Sequence, residues 1–257
     1  MYVTELIFEC YRDTTITAVE QAIGPLIDSY YFNGQIIGRE VPTVMKNGYF
    51  VTRVLCPHKD AVQPVNNSSI VDFYLSKLAD SGLLQPKIQT QGMDINSDSS
   101  DNCKCPSWQV LYTTFIHTCS PLRCGEHFSP IALYTTPTIA NGDFKTLLKW
   151  QQDWQACDQL QMNSATKAEF AALEEISGIG SDLTRRGRNI CQKIESLGSI
   201  PTYYYLYRVA GTSLEAETNR HCPSCDNPWK LAAPLHNIFS FQCHDCRLMS
   251  NLSWDFQ

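Results

Sequence analysis

No apolar run in the 257 residues approaches the ~20 needed to cross a bilayer. The opening segment MYVTELIFECYRD has no basic start and no long apolar stretch, so no secretory leader is expected. Positive charge is scarce: 20 Lys and Arg stand against 26 Asp and Glu, a formal net charge of −6. That argues against coating nucleic acid by bulk electrostatics and leaves room only for a local basic patch. Two catalytic signatures are missing, the Gly-x-x-x-x-Gly-Lys-Ser/Thr phosphate loop and the His-Glu-x-x-His zinc helix. The lone Gly-x-Gly of SGIGS (177–181) is too little to cradle a phosphate. These absences predict a cytoplasmic protein that is not an enzyme and has no membrane partner.

Cysteine is plentiful, with 12 residues. Without an oxidising compartment, clustered thiols read as metal ligands and not as disulfides. The segment RHCPSCDNPWKLAAPLHNIFSFQCHDCRLMS holds Cys222 with Cys225 and Cys243 with Cys246, two Cys-x-x-Cys turns 17 residues apart. Each turn places two sulfurs on one side of a metal, and two turns complete a tetrahedron. Phe239 and Phe241 alternate with polar residues between them, as a strand would. The pattern predicts a zinc ribbon with a full coordination sphere and no catalytic water. Zinc supplies roughly 10–16 kcal/mol to such sites, and the segment is too short to fold on its core alone.

A second zinc site is expected at Cys103, Cys105, Cys124 and His127. Eighteen residues separate Cys105 from Cys124, and Cys-x-x-His is an acceptable half-site. Cys119 and His117 are spare ligands nearby. Cys10, Cys56, Cys157 and Cys191 are isolated and read as core thiols. Cys124-Gly-Glu126 followed by Cys222-x-x-Cys225 looks like fragments of a nucleobase deaminase pattern. His221, not proline, precedes Cys222, and that arrangement would leave Cys243 and Cys246 without a role.

The fold class expected is α+β: a small N-terminal α/β layer (1–92), a β-rich cysteine segment (103–140), a helical section (141–200), and a strand plus the C-terminal zinc ribbon (201–257). YVTELIFE, GYFVTRVLC and PKIQTQ predict three strands in the first segment. Ile16, Val19, Ile23, Leu26 or Ile27, and Tyr30 predict a helix that Gly24-Pro25 kinks or splits. A second helix follows the NSS cap and stops at Gly82. Two strands are expected around 108–116 and 131–136, flanking a turn at SPLRCGEHF. In the helical section, Leu147, Trp150, Trp154 and Cys157 share one face. Ser181 opens a later helix, with Leu183, Gly187, Ile190, Ile194 and Leu197 on its buried stripe. There Gly187 would permit close packing. PTYYYLYRV (201–209) reads as a strong strand.

SPLRCGEHF, PIALY, LTRRGRNIC leading to PTYYYLYR, and RHCPSC with FQCHDCRLMSNLS resemble an uncharacterised proteobacterial family of zinc-ribbon-containing, nucleic-acid-binding proteins. The resemblance spans most of the chain after about residue 100 and implies zinc, a cytosolic setting and a nucleic-acid partner. Within 201–257, Arg208, Arg220, Lys230 and Arg247 face five carboxylates, and a zinc tetrathiolate adds more negative charge. The better nucleic-acid candidate is Arg185, Arg186 and Arg188 in TRRGRN, extended by Lys193, with Tyr203, Tyr204, Tyr205, Tyr207 and Trp229 as stacking candidates. A protein–protein adaptor or inhibitor acting on a basic partner is the alternative.

Overall fold

A computed structural model describes residues 1–38, 40–103, 106–139, 142–163 and 165–256. It is mixed α+β, with two sheets, and divides into two units.

The first unit is Met1–Asn102 with Thr118–Ser120 and Ser129–Thr146. Strand β1 (Tyr2–Glu9) alternates, burying Thr4, Leu6 and Phe8. Thr15 caps α1 (Ile16–Phe32) by accepting from the Ala18 amide at 3.2 Å. The stripe Val19, Ile23, Leu26 and Tyr30 is buried, whereas Ile16 is exposed. The expected split at Gly24-Pro25 does not occur, and α1 runs unbroken through Pro25. Proline deprives the Gln21 carbonyl of its donor, but Gln21 is exposed to water. Strand β2 (Thr43–Lys46) pairs with β3 (Tyr49–Cys56) through Asn47 and Gly48, both at positive φ. Ser68 caps α2 (Ser69–Lys77), and a 3₁₀ turn then ends at left-handed Gly82. Strand β4 (Lys87–Met93) completes an antiparallel sheet of order β2-β3-β1-β4. The element order βαββαβ with this strand order is the split βαβ arrangement.

The expected strand at 131–136 is instead a 3₁₀ turn, Leu133–Thr135. The Thr135 and Thr136 hydroxyls donate to carbonyls three residues back, at 2.7 and 2.8 Å, which favours a turn over a ladder. Gly34 (φ +73°) makes room for it: a Cβ there would lie 2.4 Å from Leu133 Cβ.

The second unit is Cys103–His117, Pro121–Phe128 and Leu147–Gln257. Its elements are β5 (Gln109–Leu111), β6 (Leu122–Cys124), α3 (Lys145–Asn163) from Leu147 onward, α4 (Glu169–Ser177), α5 (Asp182–Gly198), β7 (Thr202–Leu206), α6 (Leu214–Thr218), β8 (Lys230–Leu235), β9 (Phe239–Cys243) and β10 (Leu248–Asn251). The strand expected over 108–116 is only three residues long, and SPLRCGEHF contains β6 where a turn was expected. The expected turn fills the second half of the same segment, where the Phe128 amide donates to the Cys124 carbonyl at 2.9 Å. The six strands run β6-β5-β7-β10-β9-β8, with β7 parallel to both β5 and β10. Ser181 caps α5 by accepting from the Thr184 amide at 3.1 Å. Gly187 of α5 permits the close approach expected of it: a Cβ there would meet Tyr204 at 2.2 Å and Trp150 at 2.8 Å.

Candidate metal centre

Cys222 and Cys225 precede β8, and Cys243 and Cys246 form the turn between β9 and β10. The two turns are built alike. In the first, the Asp226 amide donates to the Cys222 carbonyl at 2.9 Å, and the Cys222 amide donates to the Asn227 carbonyl at 2.9 Å. The residue after each second cysteine is left-handed: Asp226 at φ 59° and Arg247 at φ 51°. This reversal folds the turn over its two sulfurs.

All four Sγ atoms lie within 4.8 Å of one another, and Cys225 and Cys243 are 3.6 Å apart. A tetrahedral zinc site with Zn–S near 2.3 Å has sulfurs about 3.8 Å apart, so the donor set fits a thiophilic cation. Cys222 and Cys243 are buried, while Cys225 and Cys246 are half-buried. Burial raises the Cys222 thiol and pushes Cys243 up to about 12. The Asn227 amide lowers Cys225. A bound divalent cation would reverse the cost of burial by neutralising thiolate charge.

Two arginines brace the turns. Arg247 donates from Nε and Nη2 to Glu195 of α5 at 2.9–3.1 Å, and from Nη1 to the His244 carbonyl at 2.6 Å. Tyr203 Oη is 2.6 Å from His244 Nδ1. Arg220 donates from Nη2 to Ser250 Oγ at 2.8 Å and the Asn251 carbonyl at 2.9 Å. Its guanidinium lies 3.9 Å from the Phe241 ring centroid and 4.7 Å from that of Trp229. Burial lowers the Arg220 pKa to about 10. Arg208 and Arg220 both ion-pair with buried Glu217. Sequence reasoning counted both arginines only as surface charge and missed this cluster. The spacing of Glu217 to Arg220, one helical turn, was the only local signal.

Elsewhere, Cys124 Sγ is 3.6 Å from His127 Nδ1 and 3.1 Å from Glu126 Oε2. Ser107 donates to Glu126 from its hydroxyl and, at 2.7 Å, its amide, and the hydroxyl bond chiefly lowers that carboxyl to about 2. Cys103 is half-buried, and among the described residues it joins no group of three metal-capable side chains this close. Cys105 lies outside the described residues. Of the spare ligands, Cys119 is buried, and His117 Nδ1 is 2.9 Å from Thr114 Oγ1.

Arg185 pairs with Asp182, and Arg186 Nη1 lies 2.8 Å from Asp153. Arg188 is half-exposed, and Lys193 is exposed. Tyr203, Tyr204 and Tyr205, named as stacking candidates, are at most 3% exposed and pack in the core. The reason is the interior position of β7: Tyr204 packs on Trp150, Tyr203 on Trp108, and Tyr205 on Tyr112 and Phe239. Trp229 is also buried.

The chain matches three family models. Residues 1–92 match the domain of unknown function DUF8589, residues 103–207 match DUF2310, and residues 211–256 match DUF8594. A Haemophilus influenzae protein described as uncharacterized is 43% identical over 261 residues, covering 100% of both chains. The chain belongs to the family of this protein. A further family member from the same organism, with the same description, is 45% identical over 199 residues, covering 77% of this chain and 97% of its own. No solved structure matches the chain. Among the described residues, no helix is long and apolar enough to cross a membrane.

Proposed function

We propose that the chain is a zinc-stabilised binding protein and not an enzyme, with zinc held by Cys222, Cys225, Cys243 and Cys246 as a ribbon. The convergence of four sulfurs within 4.8 Å carries this reading. Zinc would act there as a structural cross-link, because four thiolates leave no position for water or substrate. A second zinc is proposed at Cys103, Cys105, Cys124 and His127. Metal analysis of untagged protein purified without chelator tests both: two zinc per chain are expected, falling to one in Cys124→Ser/His127→Ala. A metal-free, folded preparation would reject the reading.

Nucleic acid is the ligand that the family resemblance suggests, with Arg185, Arg186 and Arg188 as its contacts. A binding titration across salt concentrations tests it. Affinity should fall with salt and should also fall in the triple alanine variant. A protein partner is the second reading. It is favoured by the ion pairs that engage Arg185 and Arg186 and by the burial of the candidate stacking tyrosines.

A further inference from the structure

The first unit carries a groove of about 520 Å³ between α1 and the edge of its sheet. Its floor is Val19, Ile23, Ile27, Val41 and Phe50. Large apolar side chains stand open beside it, with Met45 71% exposed and Ile16 65%. All four residues of β2 are exposed, and β2 is the last strand of its sheet, so among the described residues one side of its backbone has no ladder partner.

Two carboxylates, Glu20 and Asp28, line the groove along α1. Among the described residues neither forms an ion pair. Between them lies Gly24, where an added Cβ would meet nothing within 4 Å. Asp28 follows Glu20 by eight helical positions, about 12 Å along the axis. In an extended strand, side chains four residues apart point to the same face about 13 Å apart. The two spacings match.

We propose that this groove binds an extended basic segment of another protein, added as a fifth strand at β2. Its sequence would read basic, any, apolar, any, basic, with the two basic residues and the apolar one turned inward. The apolar residue would seat on Ile23, Ile27 and Met45, and the two cations would face Glu20 and Asp28. The unpaired edge selects an extended backbone, and the carboxylates select cations and repel phosphates. A second copy fits poorly: β2 would turn uncharged Thr43 and Met45 toward the groove, leaving the carboxylates of both copies unanswered. The inference gives the protein-partner reading a specific surface and is independent of the metal centre.

The test uses the full chain and a synthetic peptide, acetyl-Thr-Lys-Thr-Val-Thr-Lys-Thr-amide, followed by NMR titration. Saturable shifts at Thr43–Lys46 amides and at Ile23, Ile27 and Met45 methyls are expected. Affinity should drop about tenfold or more in Glu20→Gln/Asp28→Asn, equivalent to about 1.4 kcal/mol. Binding should be lost when the peptide's pairing edge is N-methylated or when Glu replaces Lys. Equal binding to the double variant, equal binding of the N-methylated peptide, or shifts away from β2 would each overturn the proposal. So would a dimer in sedimentation that Met45→Lys dissociates, since a second copy would then occupy the edge. Metal content, measured on the same samples, separates failure here from failure of the zinc reading.

Discussion

At the scale of single residues, the two cysteine turns depend on left-handed backbone positions, one held by aspartate and one by arginine. Asp226 and Arg247 occupy the left-handed region, which suits glycine best and asparagine or aspartate next. Asp226→Gly should leave the metal-loaded protein as stable or up to about 1 kcal/mol more so, while Asp226→Val should cost about 1–2 kcal/mol. Urea melts of the two variants check this. Glu195 gives a pH prediction. Its hydrogen bonds from Arg247 hold it below its ordinary value of 4.5, so the contribution is present above that value and is lost as pH falls through the lower, folded value. Glu195→Gln should therefore show a shallower loss of stability between pH 6 and about 3, read from the difference between parallel denaturation curves. The four clustered cysteines were legible because their spacing is local. The Glu217 cluster was not, because Arg208 reaches Glu217 across nine residues and only folding makes that carboxylate buried.

At the scale of elements, close approach matters more than propensity. A methyl at Gly187 would enter the Tyr204 ring and the Trp150 indole, both fully buried. Gly187→Ala should lose about 1–3 kcal/mol, measured by thermal or urea unfolding, with Gly180→Ala, which has open space, as control. Several elements could be read directly. β1 shows the alternation of a half-buried strand, and Ser68 caps α2 as the NSS motif suggests. β2 went unread although Asn47-Gly48 is a strong two-residue hairpin signal, because Thr43–Lys46 is short and wholly exposed. The 131–136 segment was misread because Thr135 and Thr136 score as strand formers, yet their hydroxyls close a turn. The tyrosines of β7 were ambiguous for the opposite reason: a strand buried on both faces carries no alternation.

At the scale of the whole molecule, a metal held by the four cysteines would be one system with the second sheet, because Cys243 ends β9 and Cys246 lies in the turn into β10. Removing a structural zinc forfeits roughly 10–16 kcal/mol, comparable to the total stability of a domain. Stripping the metal with a thiol-reactive mercurial and chelator should strip hydrogen-exchange protection from β7, β9 and β10 while amides of β1 and β3 keep theirs. Hydrogen-exchange mass spectrometry with peptide resolution reads this directly.

β10 lies beside β7, three residues of each running in parallel register. The family models change at 207 and 211, between those two strands. An engineer who cuts there obtains no portable cassette. One fragment keeps a raw interior strand with its tyrosines bared, the other a hairpin stripped of its backing, and both are candidates for inclusion bodies.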